Sequence, residues 1–178
     1  MIRLLKGMRV VELASYMMGP IAGRVLADWG AEVIKVEPVP KQTDDPMDGD
    51  GDMIRGAGMS RGIVNGDPCV WQFVNGNKKS VCLDTHTPEG KQTMVDLCLS
   101  ADVVISHLRH KDAVKLGVDY QSLSKRKKSI IVASTSGYGV TGRDADRGGF
   151  DAVAFAARSG MIMGMSPGGE PFVPYYGM

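Results

Sequence analysis

Apolar and polar positions at the start of the chain follow the order of a strand, a helix and a second strand. Residues 10–13 form a near-continuous apolar run with β-branched residues, which is typical of a parallel strand buried on both faces. Pro20 suits the first turn of a helix, because its missing N–H would have no partner there. Gly30 ends this helix, and residues 32–37 form the next strand. Four apolar residues at helical spacing are expected to bury one face of the helix: Ile21, Val25, Leu26 and Trp29.

The alternation of strand and helix continues through the rest of the chain. Thr87 and Pro88 form a strong helix start, with the threonine as N-cap and the proline in the first turn. This helix has an apolar stripe made of Met94, Leu97, Cys98 and Ala101. Further strands are predicted over residues 78–83, 102–105 and 129–134, and further helices around 111–115, 120–123 and 150–163. The pattern predicts an α/β fold with a largely parallel sheet, and we interpret residues 1–178 as one domain.

Two loops interrupt this pattern. From residue 38 to about residue 70, glycine, aspartate and methionine dominate and the periodicity disappears. A structureless loop of this length is uncommon in a compact domain and is usually functional or mobile. A second loop, rich in glycine and charge, covers residues 137–149 at the carboxyl end of a predicted strand, where open α/β sheets bind ligands.

The turn between the first strand and the first helix lacks the glycines of a dinucleotide-binding fingerprint. It reads Ser-Tyr-Met-Met-Gly-Pro over residues 15–20. An α/β protein that binds a dinucleotide usually has several glycines here, because the backbone must approach a pyrophosphate closely. The sequence therefore predicts the fold strongly and argues against NAD as a cofactor.

Charge and cysteine content exclude several classes of protein. The chain has 21 basic and 20 acidic residues and a formal net charge of +1, so it lacks the electrostatic signature of a nucleic-acid-binding protein. The one basic run, residues 125–128, is interpreted as a solvated helix end. The three irregularly spaced cysteines fit neither a disulfide framework nor a zinc site and suggest a reducing compartment. No apolar run reaches transmembrane length and the start has no signal-peptide pattern, so we expect a cytoplasmic protein without a membrane partner.

Three local motifs match known sites only weakly. Residues 58–62 read G-x-S-x-G, the nucleophile motif of α/β hydrolases, but the serine lacks the flanking strand and helix which that chemistry requires. Residues 48–52 begin like a calcium loop, but Met59 stands where a bidentate glutamate is needed. The histidines lack the helical pairing of a zinc site, so no metal is expected: His86, His107 and His110.

Residues 75–80, Asn-Gly-Asn-Lys-Lys-Ser, are open to two interpretations. Backbone donors of the turn and the side chains of Lys78 and Lys79 could converge on a phosphate group. The alternative is an ordinary charged turn that leads into a strand. The motif alone does not distinguish these interpretations.

Taken in order, several segments of the chain resemble the family III CoA-transferases of the CaiB/BaiF type, which include formyl-CoA and carnitine CoA-transferases. Within that family, residues 154–161 look most like the branch acting on 2-hydroxy acids such as phenyllactate or 2-hydroxyisocaproate. The resemblance implies a Rossmann-like sheet with flanking helices, forming the N-terminal part of the family's large domain. The segments that carry it are Gly7–Leu13, Gly19–Pro20, Leu26–Pro38, Asn75–Asp84, Thr87–Gly90, Leu116–Tyr120, Ser136–Gly139 and Arg147–Asp151.

This resemblance implies CoA transfer between an acyl-CoA and a small carboxylic acid, with CoA as substrate and no covalently bound cofactor. In such enzymes an aspartate attacks the thioester, and CoA is held on the enzyme as an aspartyl-CoA thioester until the acceptor acid arrives. By position, the implied CoA contacts are Tyr16, Met17 and Met18 in the first turn, Gln72, Phe73, Val74 and Asn75 before the lysines, His107 and Leu108 after the strand predicted over residues 102–105, and Lys115.

Some positions depart from the family pattern. Pro38 replaces an arginine, His107 and Leu108 replace an asparagine-phenylalanine pair, and Lys115 keeps the charge of an arginine without its bidentate geometry. Phe150 occupies the position of the histidine that exchanges a proton in related racemases, so racemase activity is not expected.

The resemblance also predicts that this chain is the N-terminal portion of a longer protein. The family's nucleophilic aspartate is expected just after Met178, so no catalytic residue is assigned within the chain. The full-length protein is expected to form an interlocked homodimer. The alternatives are a catalytically inactive CoA-binding fragment and an acyl-CoA thioester hydrolase, for example one acting on bile-acid thioesters.

Overall fold

In the computed structural model of the protein, residues 3–40, 51–56, 63–64 and 67–165 are described. The strands are β1 (Arg9–Leu13), β2 (Glu32–Pro38), β3 (Ile63–Val64), β4 (Asp67–Pro68), β5 (Lys79–Leu83), β6 (Val103–Ser106) and β7 (Ile131–Ser134). The helices are α1 (Met18–Asp28), α2 (Cys69–Asn75), α3 (Pro88–Ser100), α4 (His110–Leu116), α5 (Tyr120–Arg126) and α6 (Met161–Gly164). A 3-10 turn covers Met53–Arg55, and a π-helical stretch covers Asp151–Ala157.

Five strands form one parallel sheet in the order β5-β2-β1-β6-β7, and β3 pairs with β4 in a separate antiparallel ribbon. From β1 the chain moves outward through β2 to β5, then returns to the other side of β1 as β6 and β7. Val11 of β1 is in register with Ile34 of β2 on one side and Val104 of β6 on the other. The predicted α/β class is confirmed. Strands β2 and β5 extend the sheet on one side of β1 and strands β6 and β7 extend it on the other, so the order of the strands reverses between β1 and β6.

Two hydrophobic clusters divide the core. Val10 of β1 packs with Val33, Ile105 and residues of α1, whereas Val11 packs with buried residues of α3 and α5. Neighbouring strand residues point to opposite faces of a sheet, so the two valines belong to different clusters. Within α3 the predictions are confirmed, because the Thr87 hydroxyl accepts the N–H of Gly90 and the predicted stripe lies in the core.

The predicted buried face of α1 is wrong for three of its four residues. Ile21, Val25 and Trp29 are 39%, 41% and 50% exposed, and only Leu26 packs against the core. The residues of α1 that are buried are small or cyclic: Gly19, Pro20, Gly23 and Ala27. A Cβ at Gly19 would collide with Ala14, and one at Gly23 would collide with Glu12. The helix therefore lies too close to the sheet for large side chains to fit between them.

The long loop predicted over residues 38–70 contains more regular structure than expected. The 3-10 turn and the β3-β4 ribbon fall inside it, and α2 begins at Cys69, a helix that the sequence pattern did not predict. Residues 41–50, 57–62 and 65–66 lie outside the described residues, and with them the G-x-S-x-G motif. The final predicted helix is also corrected, because Gly160, with a φ of 78°, separates the π-helical stretch from α6. No helix in the described ranges is long and apolar enough to cross a membrane.

Candidate functional site

The ends of β1 and β6 meet at the carboxyl edge of the sheet. The Ser15 hydroxyl, just after β1, lies 3.2 Å from the Nε2 atom of His107, just after β6. The His107 N–H donates to the carbonyl of Leu13 at 3.3 Å. In open α/β sheets this is the position where ligands bind, because the strand connections diverge there and leave a crevice. The structure thus brings the predicted contacts of the first turn and of His107 to one edge.

Tyr16 gives the first turn an unusual backbone conformation. Its φ angle is +70°, a left-handed conformation that a residue with a side chain adopts only at an energetic cost. Its N–H donates to Oδ1 of Asp52 at 3.0 Å, and its ring packs edge-on against Phe150 with a centroid distance of 5.7 Å. Met17 follows as the N-cap of α1, and Met18, the first helical residue, is 66% exposed.

A buried charge cluster lies beneath this turn and consists of Glu12, Lys35, Asp52 and Lys78. The Lys35 ammonium lies 3.2 Å from Oε1 of Glu12 and 2.8 Å from Oδ2 of Asp52, and it donates to the carbonyl of Ala14 at 2.6 Å. The Lys78 ammonium lies 2.8 Å from Oε2 of Glu12. The four side chains are at most 2% exposed. Two cations and two anions balance, as buried charges must if they are to remain ionised.

Lys78 also joins α1 to α2. Its ammonium donates to the carbonyl of Pro20 at 2.7 Å and to Oδ1 of Asn75 at 2.9 Å. Burial lowers the pKa of Lys78 to about 8, against the opposing effect of Glu12. The phosphate-binding interpretation is therefore wrong for this lysine, whose side chain is fully engaged inside the protein. Lys79 points elsewhere and pairs with Glu32 at 2.6 Å.

A second ion pair, between the buried Glu37 and the half-buried Arg55, continues the cluster toward α2. The guanidinium makes two hydrogen bonds to the carboxylate, at 2.7 and 2.9 Å, and stacks 3.6 Å from the centre of the Trp71 ring. Burial would raise the pKa of Glu37, but Arg55, the Ser80 hydroxyl and the Asp52 N–H together lower it to about 2. The backbone N–H of Asp52 thus donates to Glu37, and its carboxylate is already occupied by Lys35 and by backbone N–H groups. These contacts contradict a role of Asp52 as a calcium ligand.

The predicted CoA contacts on α2 divide into two pairs. Phe73 is 68% exposed and Gln72 is half-buried, so both reach the surface of the helix. Val74 and Asn75 are buried, at 0% and 4% exposure. Arg24 of α1 donates to the carbonyl of Phe73 at 3.1 Å, which fixes α2 beside α1. Only the first pair is placed to offer side chains to a ligand, and Asn75 has an internal structural role.

His107, Leu108 and Lys115 occupy different surroundings. His107 is exposed as a residue, yet desolvation by the protein around its ring lowers its pKa, against the opposing effect of Asp52. Leu108 is half-buried and lines a cavity of about 330 Å³ between the ends of β6 and β7 and helices α4 and α5. Lys115 is exposed in the last turn of α4. No hydrogen bond or ion pair among the described residues connects Lys115 to the other predicted contacts.

The loop after β7 contains a second concentration of charge. Asp144 is buried and lies 2.6 Å from Arg158, with Arg143 and Arg147 at 3.6 and 3.4 Å. Hydrogen bonding from Arg158 is the main cause that lowers the pKa of Asp144. Arg143, Asp144 and Arg158 line an open cleft with Tyr138.

The sequence analysis missed the buried charge cluster, although a signal was present. Glu12, Lys35 and Glu37 stand directly beside apolar, mostly β-branched residues in β1 and β2. Charged residues inside such strands must be paired when both faces of the sheet are covered. Asp52 left no comparable signal, because it lies in the irregular segment. In the described part of the chain no group of three His, Cys, Asp or Glu residues could hold a metal ion.

Comparisons with known proteins point to one family. A family model described as CoA-transferase family III matches residues 5–178. The chain is 33% identical over 158 residues to (R)-2-hydroxy-4-methylpentanoate CoA-transferase of Clostridioides difficile, covering 89% of this chain and 38% of that protein. It is 36% identical over 157 residues to cinnamoyl-CoA:phenyllactate CoA-transferase of Clostridium sporogenes, covering 87% of this chain and 36% of that protein.

A solved structure gives the same result for the fold. The crystal structure of Rv3272 from Mycobacterium tuberculosis matches with a TM-score of 0.81 and 35% identity, covering 98% of this chain and 46% of that one. The chain thus spans less than half the length of each of these three relatives. The family model and the structural match together confirm the resemblance seen in the sequence: the chain belongs to CoA-transferase family III.

Proposed function

We propose that the protein containing this chain transfers CoA between an acyl-CoA and a carboxylic acid, and that this chain forms the CoA-binding side. The observation that carries the proposal is the match to the family over residues 5–178, combined with the position of the predicted contacts. Tyr16 and His107 lie at the carboxyl edge of β1 and β6, and α2, which carries Gln72 and Phe73, is fixed beside α1.

The proposed chemistry is a two-stage exchange through an aspartyl-CoA thioester. A carboxylate, which we place beyond Met178, attacks the acyl-CoA carbonyl and releases CoA as a thiolate, leaving a mixed anhydride. The thiolate then attacks the enzyme's carbonyl of this anhydride, forming the enzyme-CoA thioester and freeing the donor acid. The acceptor acid reverses these steps and leaves as its CoA ester. Asp151, the first residue of the π-helical stretch, is not assigned this role.

A 2-hydroxy acid is the proposed acceptor class. The support is the similarity to two CoA-transferases whose names specify 2-hydroxy-4-methylpentanoate and phenyllactate. Other similar proteins are named for succinate, glutarate or citramalate, so the acid must be tested directly. For the full-length protein we propose a homodimer in the cytoplasm, a reducing setting that the three free cysteines support.

Calorimetric titration of the chain with CoA tests the binding part of the proposal. Two methionines of nearly equal exposure provide a matched pair: Met18 at the predicted site, 66% exposed, and Met163 in α6, 68% exposed. Met18→Ala is expected to weaken CoA binding by about 3- to 10-fold, the loss of one partly desolvated apolar contact. Met163→Ala is expected to leave the affinity unchanged. Equal effects of the two variants, or no CoA binding by the chain, would contradict the assignment.

Transfer assays with cinnamoyl-CoA and phenyllactate test the chemistry. The chain alone is expected to bind CoA without forming phenyllactyl-CoA, whereas the full-length protein is expected to form it through a hydroxylamine-sensitive enzyme-CoA adduct. Transfer by the 178-residue chain would refute the placement of the nucleophile. Release of free CoA without an acceptor acid would instead support the hydrolase alternative.

A further inference from the structure

We infer that Asp52 is a positioning residue that, with Lys35, holds the first turn in the conformation that binds CoA. This inference rests on the proposed function, because it takes the turn at Tyr16 to be part of the CoA site. Asp52 is distant from the turn in sequence and belongs to the irregular segment before the 3-10 turn. None of the positions implied by the family resemblance includes it.

The contacts of Asp52 account for its burial. Its Oδ1 atom accepts the Tyr16 N–H at 3.0 Å and the Ile54 N–H at 3.1 Å, so one atom ties the first turn to the 3-10 turn. Its Oδ2 atom lies 2.8 Å from the Lys35 ammonium. With 1% of its surface exposed, the carboxylate has exchanged water for these partners. A charge-assisted hydrogen bond of this kind is stronger than one between neutral groups.

Lys35 holds the same turn from the other end. Its ammonium donates to the carbonyl of Ala14, two residues before Tyr16, while it pairs with Asp52 and Glu12. The lysine therefore fixes the carbonyl at the start of the turn, and the aspartate fixes the N–H at its centre. Each of them also neutralises the other.

The backbone conformation of Tyr16 explains why such a clamp is needed. A non-glycine residue with a φ of +70° is strained, and such strain persists only where the surrounding structure enforces it. Many nucleotide-binding turns use glycine at this point and avoid the strain. This turn has a tyrosine instead, whose ring contacts Phe150. The hydrogen bond from the Tyr16 N–H to Asp52 holds the backbone in the strained conformation.

The experiment measures CoA affinity and amide hydrogen exchange at Tyr16 in Asp52→Ala. We expect CoA binding to weaken by about tenfold or more, and exchange of the Tyr16 amide to accelerate by a similar factor, since the strain released is of that order. Asp52→Asn keeps the Oδ1 acceptor but removes the charge that neutralises the Lys35 ammonium, so an intermediate loss of about three- to tenfold is expected in both measurements. Should Asp52→Ala fail to fold, Asp52→Asn is the test, and wild-type values in both measurements would overturn the inference.

A control and a double-mutant cycle separate positioning from general stability. Met94→Ala removes a core side chain of α3 on the opposite face of the sheet, and it is expected to destabilise the fold without changing CoA affinity by more than about twofold. In a Tyr16→Gly background, where a positive φ causes no strain, Asp52→Ala is expected to weaken binding by less than about threefold.

Three results would overturn the inference. They are unchanged CoA affinity in Asp52→Ala, an equal loss of affinity in Met94→Ala, and unchanged exchange at the Tyr16 amide when Asp52 is removed. Failure of the wild-type chain to bind CoA would instead overturn the proposed function. The amide exchange would still test whether Asp52 holds the turn.

Discussion

Replacing Gly23 with alanine is expected to destabilise the protein, although alanine is the better helix former. Helix propensity alone predicts that Gly→Ala inside α1 stabilises by up to about 1 kcal/mol. The structure predicts the opposite, because the new Cβ would collide with Oε2 of Glu12 and would lie 3.1 Å from its Cδ and 3.3 Å from Cε of Lys78. Glu12 is enclosed on every side and cannot move without losing its cationic partners.

The magnitude follows from two contributions. Overpacking a well-filled core costs about 1–3 kcal/mol, and disrupting a buried ion pair costs about 3–5 kcal/mol when it breaks completely. With partial relaxation of the Glu12–Lys78 pair and the gain in propensity, we expect a net loss of about 2–4 kcal/mol. For a domain of this size that corresponds to a fall in Tm of roughly 5–15 °C.

Urea unfolding followed by circular dichroism measures this change, and Gly164→Ala is the matched control. Gly164 is also helical, but an added Cβ there would meet nothing within 4 Å. We expect its replacement to leave stability within about 1 kcal/mol of the wild type. A Gly23→Ala variant as stable as the wild type would refute the close packing of α1 on Glu12 and, with it, the burial of the charge cluster.

Three further predictions concern burial and charge. The carboxylate of Glu37 has a folded pKa of about 2, below its ordinary value of 4.5, so it stabilises the fold above pH 4.5 and this contribution is lost as the pH falls toward 2. Denaturation across that pH range should show a loss of at most about 3 kcal/mol in the free energy of unfolding, and this loss should be absent in Glu37→Gln. Identical pH profiles of the two proteins would contradict the pairing of Glu37 with Arg55. Burial raises the pKa of the Cys98 thiol to about 12, so at pH 8 a thiol reagent should modify the exposed Cys82 and spare Cys98 until the protein unfolds. Rapid labelling of Cys98 would show that α3 does not pack this side chain against the sheet. Val25→Asn should change the free energy of unfolding by less than about 0.5 kcal/mol because Val25 faces solvent, and a loss above about 2 kcal/mol would restore the sequence-based expectation that it is buried.

The sequence predicted the sheet because its strands carry local signals that tertiary contacts reinforce. Continuous β-branched runs, the threonine and proline before α3 and the glycine after α1 each depend on neighbours in the chain. The face of α1 could not be predicted in this way. Hydrophobic spacing identifies an apolar stripe, but the distance between a helix and a sheet depends on side chains from both, here Gly23 and Glu12.

In the candidate site too, some residues could be predicted from the sequence and others depend on contacts between distant segments. The family resemblance indicated Tyr16 and His107, and the parallel strands bring them to one edge, as the topology requires. Asp52 could not be found from the sequence, because its importance arises from a hydrogen bond to Tyr16 across 36 positions of the chain. The sequence left the role of Lys78 open, because a lysine before a strand gives no local sign that its ammonium turns inward to Glu12.

Mapping of CoA binding by NMR tests the central claim most directly. In a titration of the isotope-labelled chain with CoA, we expect saturable amide shifts at residues 15–18 and His107, which lie at the carboxyl edge of β1 and β6, and at Gln72 and Phe73 of α2, which lies beside α1. Shifts confined to other surfaces, such as the opposite ends of the strands, would show that CoA binds elsewhere and would contradict the account.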